Sequence, residues 1–191
     1  VIPDGVKSIS DEAFLYSEIT GVEIPDSVTN IGEEGFAECS NLTKVVIPKS
    51  ITSIGEHAFN ACVALADVEI QGSTEIGTEA FNYCNQLERL KILGNVVIGS
   101  GAFVDCSSLT SIEIQGDADI DVGAFTGCTN LTSINIHGDA KIGNSAFWQC
   151  DKLNRVVCHG NVEVDAVAFD GCSALKNIEF RGDAKIGLSA F

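Results

Sequence analysis

The chain has 191 residues, 45% of them hydrophobic, so it can bury a core and is too apolar for disorder despite a formal charge of −16. Its 27 acidic residues against 11 basic ones repel phosphate backbones and anionic headgroups, which argues against nucleic acid and membrane surfaces as partners. No run approaches ~20 apolar residues, and Val1-Ile2-Pro3-Asp4-Gly5 lacks the charged start and apolar stretch of a signal peptide.

The chain is periodic. Phenylalanine stands at 14, 36, 59, 81, 103, 125, 147, 169 and 191, at intervals of 22, 23 and then 22 six times. Cysteine follows by three residues in seven units (Cys39, Cys62, Cys84, Cys106, Cys128, Cys150, Cys172), and Ser17 takes that slot in the first. Leucine follows each cysteine by three, from Leu42 to Leu175, and an aliphatic residue precedes each phenylalanine by five, from Ile9 to Ile186. Columns kept in phase over so many units mark a solenoid, in which each unit buries its apolar side only against its neighbours.

Within a unit, the elements follow from local spacing. Leucine leads into pairs two apart, such as Val45/Ile47, Ile112/Ile114 and Ile134/Ile136, which predict a short strand with one buried face. A turn comes next, built on Pro25 or Pro48 in early units and on Gly94-Asn95, Gly116-Asp117, Gly138-Asp139 or Gly160-Asn161 in later ones. Proline presets φ there, and glycine with Asn or Asp tolerates positive φ. A second short extended piece follows, as at Ile51-Thr52-Ser53-Ile54. The spacings of three around Ala-Phe-x-x-Cys-x-x-Leu predict a helical turn or two.

Residues 24–43 read Ile-Pro-x-Ser-Val-Thr-x-Ile-Gly-x-x-x-Phe-Ala-x-Cys-Ser-x-Leu-Thr. This motif is highly specific and resembles the BspA-type (Treponema-type) leucine-rich repeat over essentially the entire chain. The resemblance implies an α/β fold: one right-handed leucine-rich-repeat solenoid over 1–191, of about eight 22–23-residue units with short strands and a helical turn each. It also implies a cell-surface or secreted, non-enzymatic protein that binds host or neighbouring-cell proteins, with no catalytic residues and no cofactor.

The candidate sites are weighed against packing. The cysteines read as small buried residues with free thiols, since parallel side chains in a column do not all pair, and Cys158 takes an isoleucine's place in a strand column. His137 and His159 share a column between Gln115 and Arg181, where a shared metal is conceivable but exposed turn residues are the stronger reading. His57 has no evident partner. Asp117, Asp139 and Asp183 with Asn95, Asn161 and Ser73 form a polar ladder that calcium would favour, although turn formation alone explains it. Asn41-Leu42-Thr43 and Asn130-Leu131-Thr132 fit the glycosylation acceptor pattern.

The strand positions between buried residues are Glu23, Val46, Glu69, Lys91, Glu113, Asn135, Val157 and Glu179. They are expected to face solvent and to form the binding surface for a protein partner, because repeat proteins commonly bind through such a sheet. Trp148, the one tryptophan, is a candidate exposed contact, since this residue type is enriched in binding hot spots. The alternative reading is a structural segment of a larger assembly or filament that stacks end to end through uncapped ends. With no methionine and incomplete first and last units, the sequence reads as part of a longer chain whose ends fray in isolation.

Overall fold

The computed structural model describes residues 1–191. Each unit lays down a short strand, turns, and lays down a second, and each strand hydrogen-bonds to its counterpart in the next unit. Two parallel sheets result. One has nine strands: β1 (Ser8–Ile9), β2 (Asn30–Ile31), β4 (Ser53–Ile54), β6 (Thr74–Ile76), β8 (Val96–Ile98), β10 (Ala118–Ile120), β12 (Ala140–Ile142), β14 (Val162–Val164) and β16 (Ala184–Ile186). The other has seven: β3 (Lys44–Ile47), β5 (Asp67–Ile70), β7 (Arg89–Ile92), β9 (Ser111–Ile114), β11 (Ser133–Ile136), β13 (Arg155–Cys158) and β15 (Asn177–Phe180). Register follows the repeat, so like pairs with like: Val45 with Val68, Ile112 with Ile134, Ile120 with Ile142.

The third wall carries no helix, which corrects the helical turn expected from the spacing. The residues two before and two after each phenylalanine sit in the left-handed region, as at Glu34 (φ 53°) and Glu38 (φ 58°) around Phe36, or Gly123 (φ 63°) and Gly127 (φ 74°) around Phe125. A helix holds every residue right-handed and bonds along its own axis. Here alternate N–H groups turn outward to the next rung: Phe36 N–H donates to Ala58 O, Phe59 to Ala80 O and Phe103 to Ala124 O, each at 2.7 Å. The N–H groups between them close tight turns within their own unit, as from Ala37 to Glu34 O at 3.0 Å. Val167 stands in one of these left-handed positions (φ 52°), a strained place for a β-branched residue.

The turn glycines serve close approach and not positive φ. Gly94, Gly116, Gly138 and Gly160 are absent from the positive-φ positions. Close approach requires them instead: a Cβ on Gly138 would lie 2.6 Å from both the Asp117 nitrogen and the Gly116 carbonyl carbon. After each glycine the polar residue bridges rungs. Asp117 N–H donates to Asn95 Oδ1 at 2.9 Å, Asp139 N–H to Asp117 Oδ1 at 2.9 Å, and Asn161 N–H to Asp139 Oδ1 at 2.7 Å.

The core is a set of ladders. Successive phenylalanine rings stack nearly parallel with centroids from 4.8 to 5.2 Å apart, about the spacing of hydrogen-bonded strands. All eight cysteines are free and buried. Each column thiol donates to the phenylalanine carbonyl one rung back, as from Cys106 Sγ to Phe81 O at 3.2 Å.

Candidate outer-face site on the seven-stranded sheet

Strand alternation aims one side chain in two away from the core, which gives the seven-stranded sheet a regular outer face. Lys91, Glu113 and Glu179 are exposed on it, and Val46, Glu69 and Asn135 are half-buried. Two expected members differ. Glu23 is exposed but lies outside the sheet, because residues 21–25 form no strand. Gly21 stands there where later units carry Lys44, Asp67 or Arg89, and glycine weakens a strand. Val157 is outward-facing yet only 4% exposed. Its ladder partners are Asn135 and Glu179, its same-face neighbours along the strand are Arg155 and His159, and these long side chains surround it.

Those side chains form one connected row. Arg181 donates from Nε to Glu179 Oε1 at 2.8 Å and from Nη1 to His159 Nδ1 at 3.0 Å. His159 Nε2 meets Asn135 Oδ1 at 3.2 Å, and Asn135 Nδ2 meets His137 Nε2 at 3.0 Å. The two imidazoles stack, centroids 4.6 Å apart and 16° from parallel. Arg155 reaches Glu179 at 3.6 Å. The row settles charge states: loss of water, then the Arg181 guanidinium and His137, hold the His159 imidazole below its ordinary pKa, and the Arg181 bond holds the Glu179 carboxyl below its own. With each ring nitrogen that the row uses already bonded to a side chain, the stacked pair is a hydrogen-bonded network and not a set of free metal ligands. Elsewhere on the face Arg89 pairs with Asp67 at 2.6 Å, and Gln115 donates to Glu113 at 2.6 Å.

The remaining candidates fall elsewhere. Trp148 is 40% exposed on the turn wall with Tyr16 and Tyr83, away from the sheet face. His57 has a neighbour after all, with Nδ1 3.7 Å from Glu79 Oε2. Asn130 already donates its amide to Ser107 O at 2.7 Å and accepts from Lys152 at 2.6 Å, whereas Asn41 is exposed. Asp117 and Asp139 each give one oxygen to the turn ladder, and no three His, Cys, Asp or Glu side chains gather as metal ligands. No helix is long and apolar enough to cross a membrane.

Sequence reasoning passed over the outward column of the nine-stranded sheet: Glu75, Val97, Asp119, Lys141, Glu163 and Lys185. Its signal was present in the buried–outward–buried pattern of three-residue strands such as Thr74–Ile76. This column borders a groove of about 750 Å³.

Comparison with known proteins matches the family model described as BspA type leucine rich repeat region, in 6 copies over residues 7–121 and 96–191. Among solved structures, a leucine-rich repeat protein of T. pallidum is 25% identical, with a TM-score of 0.65, covering 88% of this chain and 82% of that one. A leucine-rich repeat protein from Bacteroides ovatus is 27% identical, with a TM-score of 0.56, over 100% of this chain and 56% of that one. A protein from Faecalibacterium prausnitzii, described as a leucine rich cell surface protein, is 27% identical with a TM-score of 0.46, covering 94% of this chain. The chain spans 58% of that protein's length. No curated protein matches.

Proposed function

Because the chain belongs to the BspA-type leucine-rich-repeat family, we propose that it is a non-enzymatic binding module, on a cell surface or secreted, that adheres to another protein through the outer face of the seven-stranded sheet. The observation that carries this reading is the connected row from Arg155 through Glu179, Arg181, His159 and Asn135 to His137. Immobilising a long side chain on binding costs about 0.5–1.5 kcal/mol. Here the side chains already hold one another on rigid strands, so a partner meets donors and acceptors in fixed positions. Lys91 and Glu113 extend the surface along the axis, and Leu93 adds an exposed apolar contact. The surface location rests on family membership.

The test is adhesion. Beads coated with the chain are presented to cells before and after protease treatment of their surfaces, alongside beads carrying an Asn135→Ala/Arg181→Ala variant. Retention that falls with protease and again with the variant is the expected outcome. Retention indifferent to both would sink the proposal.

A further inference from the structure

From the groove on the nine-stranded sheet we infer a second binding site, for an extended Lys- or Arg-bearing peptide segment of a partner protein. It lies on a different sheet from the row of Asn135 and His159, and neither reading depends on the other.

The groove runs along the solenoid axis from the rung of Thr52 to that of Lys185. Six rung spacings of ~4.8 Å make it about 29 Å long, enough for roughly nine residues of extended chain. Its floor is strand backbone, because the side chains of Val96, Ala118, Ala140 and Val162 point into the core, and Val97, at an outward strand position, is the one apolar side chain that faces it, 46% exposed. Val97 offers one apolar contact to the aliphatic stem of a lysine or arginine, which buries its methylenes while the charged head stays at the rim.

The rim supplies the complementary charge. On one side stands the turn ladder with Asp117, Asp139 and Asp183, and on the other the strand column with Glu75, Asp119 and Glu163. Against these six carboxylates the lining holds two ammonium groups, on Lys141 and Lys185, and Lys141 is already turned to Asp119 at 3.5 Å. Each of Asp117 and Asp139 uses Oδ1 to accept the next rung's N–H, which fixes the side chain and leaves Oδ2 for a ligand. Held carboxylates along both sides of the groove select positive side chains, and the chain's charge of −16 steers such a partner inward.

The turn ladder also provides variants that keep the fold. Asn95 and Asn161 already stand in it and accept the same N–H bond through Oδ1, so Asp117→Asn and Asp139→Asn remove charge and retain the bridge. The probe is a fluorescein-labelled peptide of about nine residues alternating lysine and serine, with a glutamate–serine peptide as counterpart, read by fluorescence anisotropy at physiological salt. The lysine peptide is expected to bind the native chain, and Asp117→Asn/Asp139→Asn/Glu163→Gln to weaken it about tenfold or more. The matched Glu33→Gln/Glu56→Gln/Glu88→Gln variant, which removes equal charge at exposed positions outside the groove, should stay within about twofold. Val97→Ser should weaken binding without changing its salt dependence. Equal weakening in both triple variants, equal binding of the glutamate peptide, or no binding at all overturns the inference.

Discussion

Arg181 donates to Nδ1 of His159 at 3.0 Å from one rung further along, and this contact fixes where the His159 proton resides. Arginine has no acceptor, so Nδ1 is the unprotonated nitrogen and Nε2 carries the hydrogen. His159 Nε2–H therefore donates to Asn135 Oδ1, and the Asn135 amide donates to Nε2 of His137. The row has one direction, starting from a cation and running through two neutral imidazoles.

Loss of water disfavours the charged imidazole first, and protonating His159 at Nδ1 would also break the Arg181 contact and set two cations together, so its pKa lies below the ordinary 6.5. A histidine pKa depressed by folding contributes stability that is present above 6.5 and lost as pH falls through the lowered folded value. Carbon-detected NMR should show His159 titrating below 6.5 and Arg181→Gln moving its midpoint upward. A midpoint unmoved by that substitution would mean the contact does not form in solution.

The cysteine ladder makes an alkaline prediction. Burial pushes the Cys62 thiol up to about 12 from 9.0, and raises Cys84 and Cys106 well above that ordinary value. Groups raised by folding contribute stability that is fully present below 9 and lost as pH rises toward the folded values. The melting temperature should therefore fall as pH rises from 9 toward 12, and a thiol reagent should react with the cysteines only on unfolding. Reducing agent at pH 7 should leave the melting temperature unchanged, because no disulfide joins the rungs; a large drop would contradict the free-thiol ladder.

Phe103 is fully buried and stacked between Phe81 and Phe125, so Phe103→Ala should cost ~3–5 kcal/mol. Glu113→Ala, on the outer face, should change stability by less than ~0.5 kcal/mol. Urea unfolding measures both, and similar losses would contradict the column assignment.

Glycine has two different jobs here, and substitution separates them. Gly123 has room for a Cβ, whose closest contact would be Thr126 Oγ1 at 3.4 Å, but its φ is 63°. Gly123→Val should therefore cost the ~1–2 kcal/mol of left-handed strain, and Val167→Gly should gain about 1 kcal/mol. Gly138 has ordinary φ but no room, so Gly138→Ala should cost ~3 kcal/mol through overpacking. Thermal unfolding of the three variants would contradict this division if Gly138→Ala proved the mildest.

The sequence by itself determined the period, the columns and the two strands per unit, because residues that recur at one spacing are the ones a solenoid must bury. The resemblance in residues 24–43 was legible for the same reason. Tertiary structure decided what local spacing leaves ambiguous. Ala-Phe-x-x-Cys suits a helix and a chain of tight turns equally, and the carbonyl that selects between them, Ala124 O for Phe103 N–H, lies 21 residues away in the next rung. Gly138 reads like any turn glycine until Gly116 is packed against it. Val157 reads as exposed until Arg155, His159, Asn135 and Glu179 surround it. The groove is likewise a property of stacking, since each rung contributes at most two carboxylates and a few atoms of floor. In a solenoid a residue's own segment sets which way it points, and the neighbouring rungs set what it meets there.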